Sequence, residues 1–120
     1  DYVLIPSEGG HADFAPQTEK ELALVEFIKK EVGRCNVSWE DVLSGYGIGR
    51  IYKFLGTIKL YPENEVSLEM PHNGYHPDII FGHVRDDKRC HDTFMWYARF
   101  YGICAKNFAL ESLALSGLYI

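Results

Sequence analysis

Twice before residue 42 the chain sets a hydroxyl side chain three positions ahead of an acid, at Thr18 and Glu21 and again at Ser38 and Asp41. In that arrangement the hydroxyl accepts the amide of the third helical residue, and the acid reaches back to the capping amide. Each pair therefore marks where a helix begins, so the chain is constrained to a helix-rich fold. After Thr18, the residues Leu22, Val25, Ile28 or Phe27, and Val32 recur at helical spacing, and Gly33 supplies a stop. The expectation is a scaffold helix to about residue 32, with acids in its first turn complementing the helix dipole. The second cap predicts a short helix over 39–43 that ends near Gly45. An amphipathic segment over 48–58 follows, with Ile51, Tyr52, Leu55 and Ile58 on one face.

From residue 59 to 77 the periodicity fades, and prolines, asparagines and acids predict a long surface connection. His72 and His76 lie within it. Two histidines without a third nearby ligand read as solvated side chains, and no metal site is expected. Residues 78–84 suit a short helix. Asp86 and Asp87 open the longest one, reaching about residue 111, with Cys90, Phe94, Tyr97 or Ala98, Tyr101, Ala105 and Phe108 as its apolar face. Gly102, Ala105 and Ala109 leave room for a close neighbour, and His91 and Cys104 read as packing residues. The apolar runs 2–5 and 113–120 read as strands cut from a larger sheet. The fold class expected is α/β, helix-rich, with strands at both chain ends. Such cut edges predict self-association through residues 113–120 or the long helix.

A formal charge of −5 without a Lys/Arg run argues against a nucleic-acid surface. No apolar segment reaches the ~20 residues of a membrane span, and no signal segment opens the chain. Cys35, Cys90 and Cys104 are an odd number with no Cys-x-x-Cys pair, so neither a disulfide framework nor a zinc ribbon is indicated. The cytoplasm is the expected compartment.

Between the first apolar run and the first helix lies the stretch 6–16, where Glu8 and His11 flank Gly9 and Gly10. Loops of this kind are where sites are built. The glycines remove bulk and permit positive φ, for a tight turn or a close ligand approach. A carboxylate and an imidazole three residues apart suit a sugar, because the carboxylate accepts from neighbouring hydroxyls and the imidazole donates or accepts by tautomer. On spacing alone, a glycine turn with a solvated Glu8 and a packed or capping His11 accounts for the stretch equally. Likewise Glu40 needs no role beyond complementing a helix dipole.

Three blocks carry a resemblance. They are Glu8-Gly9-Gly10-His11-Ala12-Asp13-Phe14-Ala15-Pro16, then Trp39-Glu40-Asp41-Val42-Leu43-Ser44-Gly45-Tyr46-Gly47, then Arg99-Phe100-Tyr101-Gly102 with Asn107-Phe108-Ala109-Leu110. In order and spacing they resemble the bacterial ATP-dependent glucokinase family, and the first block is the most specific. The likeness covers essentially the whole chain but only a middle part of the family's. It implies that residues 1–120 are part of the large C-terminal domain of an actin-like (ribonuclease H-like) two-lobed sugar kinase, lacking the N-terminal lobe and the C-terminal nucleotide-binding end. The cysteine-rich zinc motif of the related repressor and kinase group is lacking, which places the chain with the non-zinc glucokinases.

The implied reaction moves the γ-phosphoryl of ATP to the 6-hydroxyl of glucose, a step of glycolysis. Glu8, His11 and Glu40 take the positions of glucose-binding residues. Glu8 would meet the secondary hydroxyls, and His11 with Glu40 would hold the end carrying the anomeric hydroxyl. None is the base, which in the family is the aspartate of an Asn-Asp pair expected upstream; these residues contain neither that pair nor a Gly-x-x-Gly-x-Gly phosphate loop. ATP and Mg2+ belong to the full-length enzyme, none is expected on this segment, and the segment alone is expected to be inactive. A homo-oligomer is expected. The alternatives are a kinase or sensor for another hexose, and a non-catalytic helical interaction module.

Overall fold

The computed structural model describes residues 3–70, 74 and 76–120. A 3-10 turn at Gly9–His11 precedes six helices: α1 Glu19–Val32, α2 Trp39–Leu43, α3 Gly45–Ile58, α4 Glu65–Glu69, α5 Pro77–Gly82 and α6 Lys88–Ser112. Their starts follow local chemistry. The Thr18 hydroxyl accepts the Glu21 amide, the Ser38 hydroxyl the Asp41 amide, the Ser44 hydroxyl the Gly47 amide and the Asp87 carboxylate the Cys90 amide. Gly33 at φ 68° closes α1, as only a residue without Cβ does cheaply.

At Ser38 the capping box is complete, but at Thr18 only half of it forms. Glu21 turns one oxygen to the amide of Gln17 at 2.6 Å and the other to Arg99 on α6 at 3.0 Å. A buried carboxylate gains more from a guanidinium than from a second amide, so Glu21 ties α1 to α6. The core stripe of α1 is Leu24, Val25 and Ile28, whereas Leu22, expected on it, is 54% exposed.

The core lies where α1, α2, α3 and α6 meet around Phe100, which is fully buried. Phe14, from the loop before α1, enters it and stacks edge-on against Trp39 and Phe100, at 5.1 and 4.8 Å. Each such ring contributes about 2–3 kcal/mol by burial. The packed stripe of α6 is Cys90, Thr93, Phe100 and Cys104, with Tyr97 and Phe108 partly covered. Phe94 and Tyr101 stand toward solvent instead, Phe94 meeting the half-exposed Phe81 of α5. A helix aromatic on several sides offers two plausible apolar faces, and Phe14 and Trp39 select the one through Phe100.

The connection 59–77 is not featureless. Asn64 and Ser67 form a capping box that opens α4, and Asn64 also donates to Asp87 at 2.6 Å. His76 is not solvated: its Nε2 is buried without a hydrogen-bond partner among the described residues. His72 lies outside the described residues.

The strands expected at the two ends do not form among the described residues. Residues 3–8 and 116–120 lack regular structure, α6 ends at Leu113 with φ 48°, and Leu4, Leu115 and Tyr119 are at least 94% exposed. A strand is made by its partner's ladder, and none of the described residues supplies one here. The β-type pairing seen is a single antiparallel bridge, Asp13 to Ser38. What stands is therefore a helix-rich fold. No helix among the described residues is long and apolar enough to cross a membrane.

Candidate functional site

The bridge at Asp13 and Ser38 is what assembles the site. The amide of Phe14 donates to the Val37 carbonyl at 2.8 Å, and the amide of Trp39 to the Ala12 carbonyl at 2.9 Å. This lashes the loop after the 3-10 turn to the start of α2. Glu8 and His11 are thereby carried over the first turn of α2, from which Glu40 projects.

All three residues singled out in the sequence converge. His11 Nδ1 lies 3.3 Å from Glu8 Oε2, and His11 Nε2 lies 3.1 Å from Glu40 Oε2. One imidazole thus bridges two carboxylates. The side chains are 88% exposed for Glu8, 66% for His11 and 62% for Glu40, so the group faces open solvent. It combines four carboxylate oxygens with a ring that donates or accepts, a set suited to a polyhydroxylated neutral molecule. Carboxylates this exposed exchange a solvated imidazole contact for a ligand hydroxyl at little cost.

Neither Gly9 nor Gly10 has positive φ, and of the two it is Gly9 that serves proximity. A Cβ at Gly9 would fall 2.4 Å from Phe108 Cε1, and one at Gly10 would fall 3.9 Å from Glu40 Cβ. The turn fits against α6 because Gly9 is bare, whereas the α2 side would accommodate a Cβ at Gly10. The Ser7 hydroxyl accepts the Gly9 amide at 3.1 Å, a supporting contact that only the short Ser-x-Gly spacing signals.

Beneath Glu40 its neighbour Asp41 is buried. It accepts from the Ser38 amide at 2.9 Å, from Arg34 at 2.6 and 2.8 Å, and from Arg50 at 3.3 Å. Burial would raise its carboxyl, but the Ser38 hydrogen bonds and the two guanidiniums hold it below its ordinary value. Arg50 also donates to the Asp41 carbonyl at 3.0 Å. The short helix that presents Glu40 is thus pinned through its adjacent residue, a role the sequence reading confined to a cap.

A larger polar cleft lies between residues 61–67 and the start of α6, about 530 Å³ and floored by Arg89 over the Tyr52 ring at 3.8 Å. It is separate from the Glu8 group. Among the described residues no group of three His, Cys, Asp or Glu side chains is placed to hold a metal ion.

A family model described as glucokinase matches residues 1–120. The chain is 34% identical to a glucokinase of Nostoc punctiforme, over 99% of this chain and 39% of the relative. It is 34% identical to a glucokinase of Saccharophagus degradans and 32% identical to one of Shigella sonnei, in each case over 99% of this chain and 34% of the relative. The chain therefore spans between a third and two fifths of the length of these relatives.

Proposed function

Because the chain belongs to the glucokinase family, we propose that it is the sugar-holding part of an ATP-dependent glucokinase, with Glu8, His11 and Glu40 as glucose ligands. The observation that supports this most is the convergence of two carboxylates, remote in sequence, on the two nitrogens of one exposed imidazole. Glu8 accepts from secondary hydroxyls of the ring. His11 and Glu40 hold the end that carries the anomeric hydroxyl. The sugar is then held with its 6-hydroxyl directed away from these residues, toward a base that they do not provide.

Their contribution is alignment. A hydroxyl held for in-line attack recovers much of the entropy of bringing two reactants together, and phosphoryl transfer depends on such positioning and on charge neutralisation. Mg2+ takes near-octahedral oxygen coordination, and the site's two carboxylates both face His11. The described residues do not fit the ion, and no step through it is assigned to them. We place the segment in the large lobe of an actin-like kinase acting in the cytoplasm, in glycolysis, as a homo-oligomer using ATP and Mg2+. The isolated segment is expected to lack kinase activity.

Titration calorimetry of glucose, with galactose as control, into the full-length protein and into this 120-residue chain tests the reading. Glucose binding and turnover are expected in the full-length protein, not in the segment. Glu8→Gln, His11→Ala and Glu40→Gln should each weaken glucose binding about 10- to 100-fold, the worth of a hydrogen bond to a charged group, with unchanged circular dichroism. Wild-type affinity in all three variants would sink the assignment, and a galactose preference would move it to another hexose.

A further inference from the structure

We propose that Phe108 is a positioning residue for the sugar loop, setting the height and orientation of Glu8 and His11 through its contact with Gly9. This rests on the glucose-site reading above. Phe108 lies near the end of α6, far in sequence from the turn, and packs partly buried against the main core. Its ring edge covers the bare face of Gly9, where a Cβ would lie 2.4 Å from Cε1 and 2.6 Å from Cζ. The ring also lines, with Leu43 at the end of α2, a cavity of about 200 Å³. Phe108 thus stands at the 3-10 turn bearing His11 and beside the helix bearing Glu40.

The backbone bridge fixes the loop only from residue 12 onward. Ahead of it the turn has its own bonds, Glu8 carbonyl to His11 amide at 2.9 Å and Gly9 carbonyl to Ala12 amide at 3.1 Å. These hold its shape but not its position over α2. Glu8 precedes the turn and is the most exposed of the three ligands, so beside the polar His11–Glu40 contact at 3.1 Å, packing against Gly9 is what locates it. Without the ring, the turn would pivot about residues 12–14 and spread Glu8 and His11 away from Glu40.

Steady-state kinetics of the full-length enzyme test this, with glucose and ATP varied separately. Phe108→Ala should raise the glucose KM about tenfold while the ATP KM changes by less than about twofold, the mark of lost sugar positioning. Gly9→Ala should do the same, because its methyl would overlap the ring. Combining Gly9→Ala with Phe108→Leu should recover most of the loss, since leucine ends short of the Cε1 and Cζ positions. Should Phe108→Ala fail to fold, the Gly9→Ala and double-variant pair decides. An unchanged glucose KM in folded variants, an equal rise in both KM values, or no recovery in the double variant would overturn the proposal. Glu8→Gln run in parallel separates the two failures: if it too leaves the glucose KM unchanged, the sugar-site reading falls, and if it abolishes binding, only the role of Phe108 falls.

Discussion

The amide of Phe14 donates to the carbonyl of Val37 across 2.8 Å, while the Phe14 ring stands edge-on to Trp39 and Phe100 in the core. One residue therefore both joins the site loop to α2 and plugs the centre of the helical body. Phe14→Ala is expected to lower the unfolding free energy of the chain by about 3 kcal/mol through the cavity it leaves, and Phe14→Leu by about 1 kcal/mol. Urea unfolding followed by circular dichroism measures both. Equal costs for the two variants would mean that the ring is not packed as described.

Three carboxylates are expected to make the chain acid-sensitive. Burial would raise Asp41, Asp87 and Asp92, yet hydrogen bonds from Ser38 at Asp41, from Asn64 and Cys90 at Asp87, and from Lys88, Lys59 and Tyr61 at Asp92 hold all three below the usual carboxylate range. With a folded pKa below the unfolded one, the unfolded state binds more protons between the two. The stabilisation is then full above about pH 4 and is lost as pH falls through the lower folded values. Urea midpoints are expected to be level from about pH 7 to 5 and to drop below about 4. Asp41→Asn should cost about 2 kcal/mol at neutral pH and flatten the acid limb. An acid limb as steep as that of the wild type would show that Asp41 is not one of the groups responsible.

Helix starts were legible because they are local: Thr18, Ser38 and Asp87 each meet an amide three residues on, whatever the rest of the chain does. Glu8 and His11 stood out by their place around two glycines, but their grouping with Glu40 was legible only through family likeness. Spacing says nothing of the bridge from Asp13 to Ser38 that brings Glu40 under the turn. Tertiary choice accounts for the rest. Whether α6 buries Phe94 and Tyr101 or Phe100 and Cys104 depends on which side Phe14 and Trp39 occupy. Whether Glu21 completes its capping box depends on Arg99 arriving from α6. The apolar ends read as strands from composition, and composition does not supply the partner that makes a strand.

Gly47 and Gly102 lie in helices and make opposite demands. A Cβ on Gly47 would fall 2.3 Å from the Val42 carbonyl carbon and oxygen, so the first turn of α3 rests directly on the backbone of α2. Gly47→Ala should cost about 3 kcal/mol by displacing α2. At Gly102 no side chain or neighbouring element of the described residues, its own chain neighbours and helix backbone aside, lies within 4 Å of the added methyl. Gly102→Ala should therefore stabilise the 120-residue chain by about 0.5–1 kcal/mol through helix propensity alone. Thermal melts of both variants decide it, and a destabilising Gly102→Ala would reveal a neighbour packed on that face of α6.

The three cysteines divide by environment, and their reactivity reports on α6. Burial, with the Asp87 carboxylate beside it, pushes the Cys90 thiol up to about 12, and burial followed by the Glu111 charge also raises Cys104. Cys35 is exposed between α1 and α2. The thiolate is the reactive form, so at pH 8 a thiol near 12 is ionised to about one part in ten thousand. Ellman's reagent should label one thiol of the folded chain quickly and the other two only on unfolding, and Cys35→Ser should abolish the fast phase. Rapid labelling of all three would mean that the Asp87 cap opens in the native state. The cleft floored by Arg89 would then open with it, because Arg89 occupies the same first turn and donates to the Tyr52 carbonyl at 2.7 Å.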